Sequence, residues 1–356
     1  MIATRSAANS LRTRRHGLLR AGPFAIRFER RAAWVGLALV VAIVAACLVA
    51  LLIGDYPLTP AGAVAHLLGW GEDPLAQYFV RNQRAPRALA AILVGAALGT
   101  SGAIFQSLSN NPLGSPDVIG FTVGSATGAL LQIVVFGGGP AAVATGAAVG
   151  GLGVAVVVYL LAWRQGLAGF RLVLVGVGVA AALQGVNALL IVRASLERAQ
   201  TAAQWLAGSF NATTWAQTLV TGAAVAVCVP AALALARPLG AMTLGDDLAT
   251  GLGVRVERRR LELVVVGVAL VAAAVAAAGP IAFVALAAPQ LAKRLTRGEI
   301  GLASSALMGA WLVVVSDIVA QRLFAPTQLP VGVVTGSLGG AYLIWLLARE
   351  WKVKPA

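Results

Sequence analysis

Few side chains in this 356-residue sequence could carry out chemistry, and their spacing matches no catalytic motif. The three lysines, Lys293, Lys352 and Lys354, lie outside any glycine-rich loop, so the sequence lacks a Walker A site for ATP phosphates. GxSxG and HExxH motifs are also absent from the sequence. We therefore predict that the chain is not an enzyme and uses no cofactor.

The residue types that bind metals are scarce and scattered. His16 and His66 are far apart and have no companion ligands in sequence, whereas a usual metal site needs several convergent ones. Cys47 and Cys228 both lie within apolar runs. That setting predicts small, lipid-embedded side chains and neither a disulfide nor a metal site.

Asp317 is the one acidic residue well inside a long apolar segment. Burying such a charge near the centre of a bilayer costs about 2.5–3.5 kcal/mol, so an intramembrane acid is a candidate functional residue. One hypothesis is an ion-coupled transporter that uses this carboxylate. We favour a polar link to a neighbouring helix, or a role at the outer mouth, because Asp317 lies in the outer third of its predicted helix. Gln321 follows one turn later, with Arg322 beside it.

The elements that must hold these residues are membrane-spanning helices. Hydrophobic residues make up 59% of the sequence and charged residues 11%, against roughly 25% charged residues in an average soluble domain. We predict an all-α polytopic membrane protein with about ten spanning helices between residues 32 and 349. A disordered basic arm (1–31) would precede these helices, and a short tail (350–356) would follow them.

The placement of positive charge predicts the orientation of the chain. Ten spans put both termini on one side of the membrane, and in this topology 21 of the 27 lysines and arginines fall on that side. Cytoplasmic loops carry the excess of Lys and Arg, so both termini are predicted to be cytoplasmic. Because topology accounts for the net charge of +14, no nucleic-acid partner is expected.

Residues 237–260 form a polar interruption with a short helical pattern inside it. Thr243 or Gly245 can begin the helix, and Asp246 and Asp247 would lie in its first turn, where carboxylates favour the positive helix end. Three leucines recur every four residues along one side, and two glycines end the run. These residues are Leu244, Leu248 and Leu252, then Gly251 and Gly253. The pattern predicts either a helix lying on membrane lipid or a cytoplasmic element that binds a partner.

Glycines at helical spacing predict where spanning helices approach each other closely. Gly95, Gly99 and Gly102 lie in the second predicted span, and Gly146 and Gly150 lie in the fourth. Small residues at such spacing let two helix backbones come into contact. We interpret them as packing positions.

Several motifs, met in order along the chain, resemble those of one transporter family. The segment that begins at Arg84, RAPRALAAILVGAALGTSGAIFQSLSNNPLGSPDVIGF, resembles the signature of the FecCD permeases of iron-siderophore and vitamin B12 ABC importers. The resemblance continues in WLAGSFNATTW, GDDLATGLGVRVERRRLE, AGPIAFVALAAPQLAKRL and DIVAQRLFAPTQLPVGVVTGSLGGAYLIWLL, and it covers roughly residues 33 to 349. SNNPLGSPDVIGF, GDDLATGLGV and QLPVGVVT are most similar to ferric enterobactin permeases, whose cargo is a catecholate siderophore.

The resemblance implies a fold, a set of partners and a location. The expected fold is that of type II ABC importer permeases, with ten spanning helices, in a bacterial plasma membrane. The expected partners are a second permease subunit (identical or different), two ATPase subunits that hydrolyse ATP, and an extracytoplasmic siderophore-binding protein. The same scaffold could import vitamin B12 or haem, and an ion-coupled secondary transporter remains the alternative of another class.

The resemblance also implies roles for individual residues. The ATPase would bind the coupling segment, whose residues are Leu244, Gly245, Asp246, Asp247, Leu248, Gly251, Leu252 and Gly253. The binding protein would dock on Arg84 and Arg87, and on Arg322 in place of a family arginine that falls at Gln321 here. A cytoplasmic gate is implied for Asn111, Pro112 and Leu113, with a second gate segment at Gly169 and Phe170. Gln290 replaces a family histidine in the eighth span, so no role is transferred to it.

Overall fold

The described chain is almost entirely helical. This computed structural model describes residues 16–21, 24–54, 56–116, 120–162, 169–298 and 300–353. Its helices are α1 Arg30–Leu52, α2 Pro60–Leu68, α3 Pro74–Tyr78, α4 Ala85–Ser109, α5 Phe121–Leu130, α6 Pro140–Ala162, α7 Gly169–Arg193, α8 Leu196–Leu206, α9 Trp215–Ala234, α10 Ala236–Met242, α11 Asp246–Gly251, α12 Val256–Ala278, α13 Val284–Thr296, α14 Leu302–Arg322 and α15 Val331–Val353. Phe79–Arg84 joins α3 to α4 as a π-helix, and Leu131–Phe136 extends α5 in the same way. The predicted all-α fold is confirmed.

Each of the ten predicted spans corresponds to a helix. Seven helices of the described residues are long and apolar enough to cross a membrane, and Phe121–Phe136 is a shorter apolar helix. The remaining two predicted spans are α13 and α15. The eighth span was predicted to begin at Ile281 and to end at Leu291, or to extend through Leu295; α13 begins later, at Val284, and continues to Thr296, which agrees with the longer alternative. Gly279 and Phe283 have positive φ angles, of 69° and 66°, and this backbone break delays the start of the helix.

Part of the arm that was predicted to be disordered forms a hairpin. Strands β1 (His16–Ala21) and β2 (Phe24–Glu29) pair antiparallel, with His16 opposite Glu29 and Ala21 opposite Phe24. In FAIRFE the large apolar residues Phe24, Ile26 and Phe28 recur at every second position, a period of two that is typical of a strand. The arginine content of the arm predicts disorder, whereas this period of two predicts a strand. Glu29 leads directly into α1 without a linker.

Helix α4 occupies the centre of the bundle, where glycines allow other backbones to reach it. It packs against α14, α12, α13 and α9. An ideal Cβ added at Gly95 would lie 2.3 Å from the carbonyl oxygen of Gly309, and one at Gly99 would lie 2.1 Å from that of Ser305. The predicted close packing at these glycines is therefore confirmed.

The second pair of predicted packing glycines joins α6 to α5. A Cβ at Gly150 would lie 2.4 Å from the carbonyl oxygen of Gly124, and one at Gly146 would lie 2.7 Å from that of Gly128. Both distances are shorter than those of real Cβ contacts, so only glycine fits at each position without a shift of the backbone. The prediction for this pair is also confirmed.

The bundle has two ends that carry different functional residues. At one end, here named the Leu248 end, the last turns of α4 and α9 share a hydrophobic cluster with α10, α11 and the first turns of α12 and α14. At the other end, here named the Arg87 end, the first turn of α4 meets the start of α9 and the last turn of α14. A hydrogen bond from the Trp215 indole to the carbonyl oxygen of Arg81, 2.7 Å, also joins α9 to the approach to α4 there.

Three short helices lie in the connections between spanning helices. Helix α2 begins after Thr59, whose side chain accepts a hydrogen bond from the Gly62 amide, 3.1 Å, and α3 begins after Asp73, whose carboxylate accepts from two amides. Helix α8 lies between α7 and α9. These helices have five to eleven residues, fewer than the roughly 20 apolar residues by which a spanning helix is recognised in sequence.

Candidate functional sites at the two ends of the bundle

The short helix α11 at the Leu248 end is bounded by a glycine with positive φ on each side. Gly245 has φ 108° and precedes the helix, so of the two predicted starting points Gly245 is confirmed. Gly253 has φ 82°, and its amide donates to the carbonyl oxygen of Thr250, 2.9 Å. The Val254 amide donates to the carbonyl oxygen of Ala249, 3.0 Å. Left-handed glycine at this point is the usual way to end a helix, as predicted.

The three predicted leucines of this segment are all exposed. Leu244, Leu248 and Leu252 keep 63%, 62% and 68% of their surface accessible. On the opposite side of α11, Ala249 is fully buried in the cluster that contains Ala103 from the last turns of α4. The helix therefore rests on the bundle by a small side chain and presents its large apolar side chains outward. An exposed apolar patch of this kind is typical of a surface that binds a partner.

An ion pair fixes the first turn of α11 to α12. One guanidinium nitrogen of Arg260, Nη2, donates to both carboxylate oxygens of Asp246, at 2.8 and 2.9 Å. Nη1 of the same side chain lies 3.4 Å from Oε1 of Glu257. Asp247, the other predicted acid of this turn, is exposed.

A buried ion pair lies at the Arg87 end. Nε and Nη2 of Arg87 donate to the two carboxylate oxygens of Asp317, at 2.9 and 2.8 Å, and the side chains keep only 14% and 4% of their surface accessible. Gln321 donates to the same carboxylate at 2.8 Å, and Arg87 also donates to Gln328, at 3.0 Å. Asp317 thus forms the polar link to a neighbouring helix that we favoured.

The other two predicted docking arginines differ sharply in accessibility. Arg84 is buried, and its guanidinium donates to the carbonyl oxygens of Leu51, 2.8 Å, and Tyr56, 2.7 Å. It occupies the space beside Gly54, where an added Cβ would lie 2.4 Å from Nη2. Arg322 is exposed in the last turn of α14. Of these two side chains, therefore, Arg322 is the one exposed to solvent.

The connection that holds Arg84 is itself fixed by polar contacts. The Tyr56 hydroxyl donates to the Asp73 carboxylate, which caps α3. This hydrogen bond lowers the pKa of Asp73, and two backbone amides act in the same direction. The contacts stabilise the connection between α1 and α4 that surrounds Arg84.

The predicted gate residues lie beyond the end of α4, at the Leu248 end. Asn111, Pro112 and Leu113 are exposed, and the side chain of Asn111 accepts a hydrogen bond from the Leu113 amide, 2.9 Å. This local bond makes a compact turn without helical structure. Gly169 and Phe170 are the first residues of α7. Their side chains lie outside the described part of the structure.

A pair of glutamines lies in the interior near this turn. Gln106, which is 1% exposed, donates to the carbonyl oxygen of Leu286, 2.9 Å, and accepts from the Gln290 amide, 2.7 Å. The pair links α4 to α13. Gln290 therefore donates a hydrogen bond between helices. The family resemblance does not predict this role, because the family has a histidine at this position.

Two cavities open at the Arg87 end. The larger, of about 900 Å³, lies between α5, α6, α8 and the ends of α9 and α12, and the smaller measures about 390 Å³. Both are lined by Asn211 and Gln328, and the smaller also by Arg84 and Arg87. Among the described residues, no three His, Cys, Asp or Glu side chains converge on a point that could hold a metal ion. Amide, hydroxyl and guanidinium groups line both cavities beside apolar side chains.

Comparisons with known proteins agree with this architecture. The model of the FecCD transport family matches residues 41–349. The chain is 48% identical over 318 residues to the ferric enterobactin transport system permease protein FepG of Escherichia coli (strain K12), covering 88% of this chain and 96% of FepG. It is 37% identical over 321 residues to the achromobactin transport system permease protein CbrC of Dickeya dadantii (strain 3937), covering 89% and 91%.

A solved structure agrees as well. A metal-chelate type ABC transporter in an inward-facing conformation superposes with a TM-score of 0.80 at 28% identity, covering 89% of this chain and 99% of that one. The family match covers most of the chain, and all ten predicted spans have their helices. This multi-pass membrane protein is therefore a member of the FecCD transport family.

Proposed function

We propose that this chain is the membrane-spanning permease subunit of an ABC importer that carries ferric siderophores, of the catecholate type, into the cytoplasm. The observation that carries the proposal is α11, a six-residue helix fixed to the bundle with three exposed leucines around it. A transporter driven by its own ion gradient has no need of such a surface. The 48% identity to a ferric enterobactin permease supports the cargo.

The two ends of the bundle take different partners in this proposal. The Leu248 end lies in the cytoplasm, where α11 is seated in a cleft of the ATPase and the turn at Asn111–Leu113 forms the gate, with Gly169 and Phe170 as its second segment. The Arg87 end lies outside, where the two cavities receive the siderophore complex. The positive charge in the loops and termini assigned to the Leu248 end supports this orientation.

A second permease subunit covers α7 and α15 in this assembly. Gln184 is exposed on α7, although amides are costly in contact with lipid. No atom lies within 4 Å of a Cβ added at Gly178 or Gly185 of α7, nor at Gly336 of α15. Exposed small and polar residues on spanning helices favour close contact with another helix. The partner is an identical or a related permease chain.

The first test exchanges one exposed leucine for a charge. Leu248→Arg should lower the amount of ATPase subunit that co-purifies with the tagged chain from native membranes at least about tenfold, because a charge would have to be buried in an apolar cleft. Leu323→Arg is the matched control, since Leu323 is equally exposed, at 60%, but lies at the Arg87 end. Equal recovery of the ATPase with both variants would contradict the proposal.

Docking of the binding protein should depend on Arg322 more than on Arg84. In this proposal Arg322 pairs with acidic residues of the binding protein, as the family resemblance implies. Arg322→Glu should therefore weaken the binding of that protein to reconstituted permease about tenfold, because the reversed charge would repel those acids. Arg193→Glu, also exposed and predicted to lie on the same side, should change it little. We retain Arg87 as a docking residue, because the exposed part of its side chain can contact the binding protein. We propose that Arg84 holds the connection between α1 and α2 in place. Unchanged affinity in the Arg322 variant would remove that residue from the docking surface.

Uptake by proteoliposomes that contain the complete complex tests the cargo. Radioactive iron bound to enterobactin should accumulate with ATP present and with ion gradients dissipated. Excess haem or vitamin B12 should not compete. Uptake that follows a proton or sodium gradient instead would favour the ion-coupled alternative.

A further inference from the structure

Helix α11 is too short to keep its orientation without tertiary contacts. It has six residues, whereas isolated helices shorter than about 12–15 residues are marginal in water. Ala249 is its one buried side chain. A single buried methyl group fixes the position of a helix but leaves it free to rock. Another contact must define the direction in which the three leucines are presented.

The ion pair between Asp246 and Arg260 supplies that contact. It joins the first residue of α11 to the first turns of α12, 14 positions away, and both carboxylate oxygens accept from the same guanidinium. The Arg260 side chain is 15% exposed and is also held by Glu257 of its own helix. A guanidinium fixed on a spanning helix can hold a short helix with few buried contacts in one orientation.

The neighbouring arginines make a different kind of contact. Arg258 and Arg259 both pair with Glu262, four and three positions later on the same helix, at 2.9 and 2.7 Å. Such pairs stabilise α12 locally and do not reach α11. Three consecutive arginines thus divide into two that serve their own helix and one that also connects two elements.

We propose that Arg260 is a positioning residue for the coupling segment, which orients α11 through Asp246 so that its leucines meet the ATPase as a preformed surface. The effect on ATPase binding rests on the proposed function, whereas the orientation of α11 by Arg260 does not. A preformed surface binds more tightly because less ordering entropy is lost on association. Without the pair, α11 would remain attached and would rock about Ala249.

The test measures orientation and ATPase binding separately. A nitroxide label at Leu248→Cys, with Cys47 and Cys228 replaced by alanine, reports the motion of α11 in the permease alone. Arg260→Gln should increase the mobility of the label, whereas Arg258→Gln, the matched control, should leave it unchanged. Equal mobility in the two variants would overturn the proposal whatever the ATPase does.

Binding is measured with the unlabelled full-length chain. Arg260→Gln should weaken ATPase binding about two- to fivefold, the range of an ion pair whose carboxylate is half exposed. Asp246→Asn should have a similar effect, and the double variant should be no weaker than either single variant. Arg260→Lys should recover part of the affinity. Additive losses, or no loss, would overturn the role of the pair in coupling.

The two proposals fail in different ways. If Leu248→Arg does not reduce ATPase binding, the proposed function is contradicted, while the mobility result still decides whether Arg260 orients α11. If Leu248→Arg abolishes binding and Arg260→Gln changes neither mobility nor affinity, only the role of Arg260 is overturned.

Discussion

Asp317→Ala is expected to destabilise the folded chain by about 3 kcal/mol, the lower end of the range for removing one partner of a buried ion pair. The variant leaves the Arg87 guanidinium largely buried, 14% exposed, without the carboxylate that accepts two of its hydrogen bonds. Gln328 still accepts one hydrogen bond, which keeps the loss at the lower end. The thermal midpoint of the detergent-solubilised chain is measured by heating samples and recording, by size-exclusion chromatography, how much protein remains monodisperse.

The double variant separates this explanation from a role in ion coupling. Arg87→Met with Asp317→Leu replaces both charges by apolar groups, which is often neutral for stability. We expect the thermal midpoint to return close to that of the unaltered chain. Asp247→Ala, an exposed acid, is the control and should leave the midpoint unchanged. If the double variant is as unstable as Asp317→Ala alone, the pair does not explain the presence of the acid.

Gly102→Ala should also destabilise the bundle by about 3 kcal/mol, the upper end of the range for overpacking a core. The added Cβ would lie 1.7 Å from the carbonyl oxygen of Ala285 and 2.9 Å from its Cα. Both obstacles are backbone atoms, so no side chain can rotate away. Helices α4 and α13 would have to separate, which would also disturb the hydrogen bond between Gln106 and Gln290.

A glycine on another helix provides the control for this prediction. No atom lies within 4 Å of a Cβ added at Gly153 of α6. Gly153→Ala should therefore be neutral or stabilise the helix by up to about 1 kcal/mol, the difference in helix propensity. The yield of folded, monodisperse protein should fall for Gly102→Ala only. Equal yields would show that α4 and α13 have more freedom to separate than their backbone contact suggests.

Hydropathy and glycine spacing were sufficient to predict the bundle. A spanning helix needs about 20 apolar residues, and this requirement is visible in sequence without knowledge of the neighbours. The close approaches at Gly95 and Gly99 followed from small residues at helical spacing. The start of α11 at Gly245 and its end near Gly253 followed from local backbone preferences. Each of these predictions depends on residues that are near each other in the chain.

The contacts that the sequence did not reveal join distant residues. Arg87 and Asp317 are 230 positions apart, and nothing local distinguishes an arginine that pairs inside the bundle from one that faces a partner. The docking role of Arg84 was predicted from the family resemblance, which does not reveal that its guanidinium also donates hydrogen bonds to two backbone carbonyl oxygens. One feature of the sequence does indicate this pair. A lone acid within one span and an arginine at the start of another can form an ion pair that lowers the cost of burying both charges.

The separation of Arg87 and Asp317 along the chain has a consequence for biosynthesis. At 5–20 residues per second, Asp317 is synthesised roughly 10–50 s after Arg87. During this interval α4 has entered the membrane with an unpaired guanidinium. The cation is tolerable because Arg87 is the third residue of α4 and its long side chain can reach the lipid headgroups. Only when α14 has been inserted can the pair form, so in nascent chains that stop before α14 the first turn of α4, which carries Arg87, should lie at the level of the lipid headgroups.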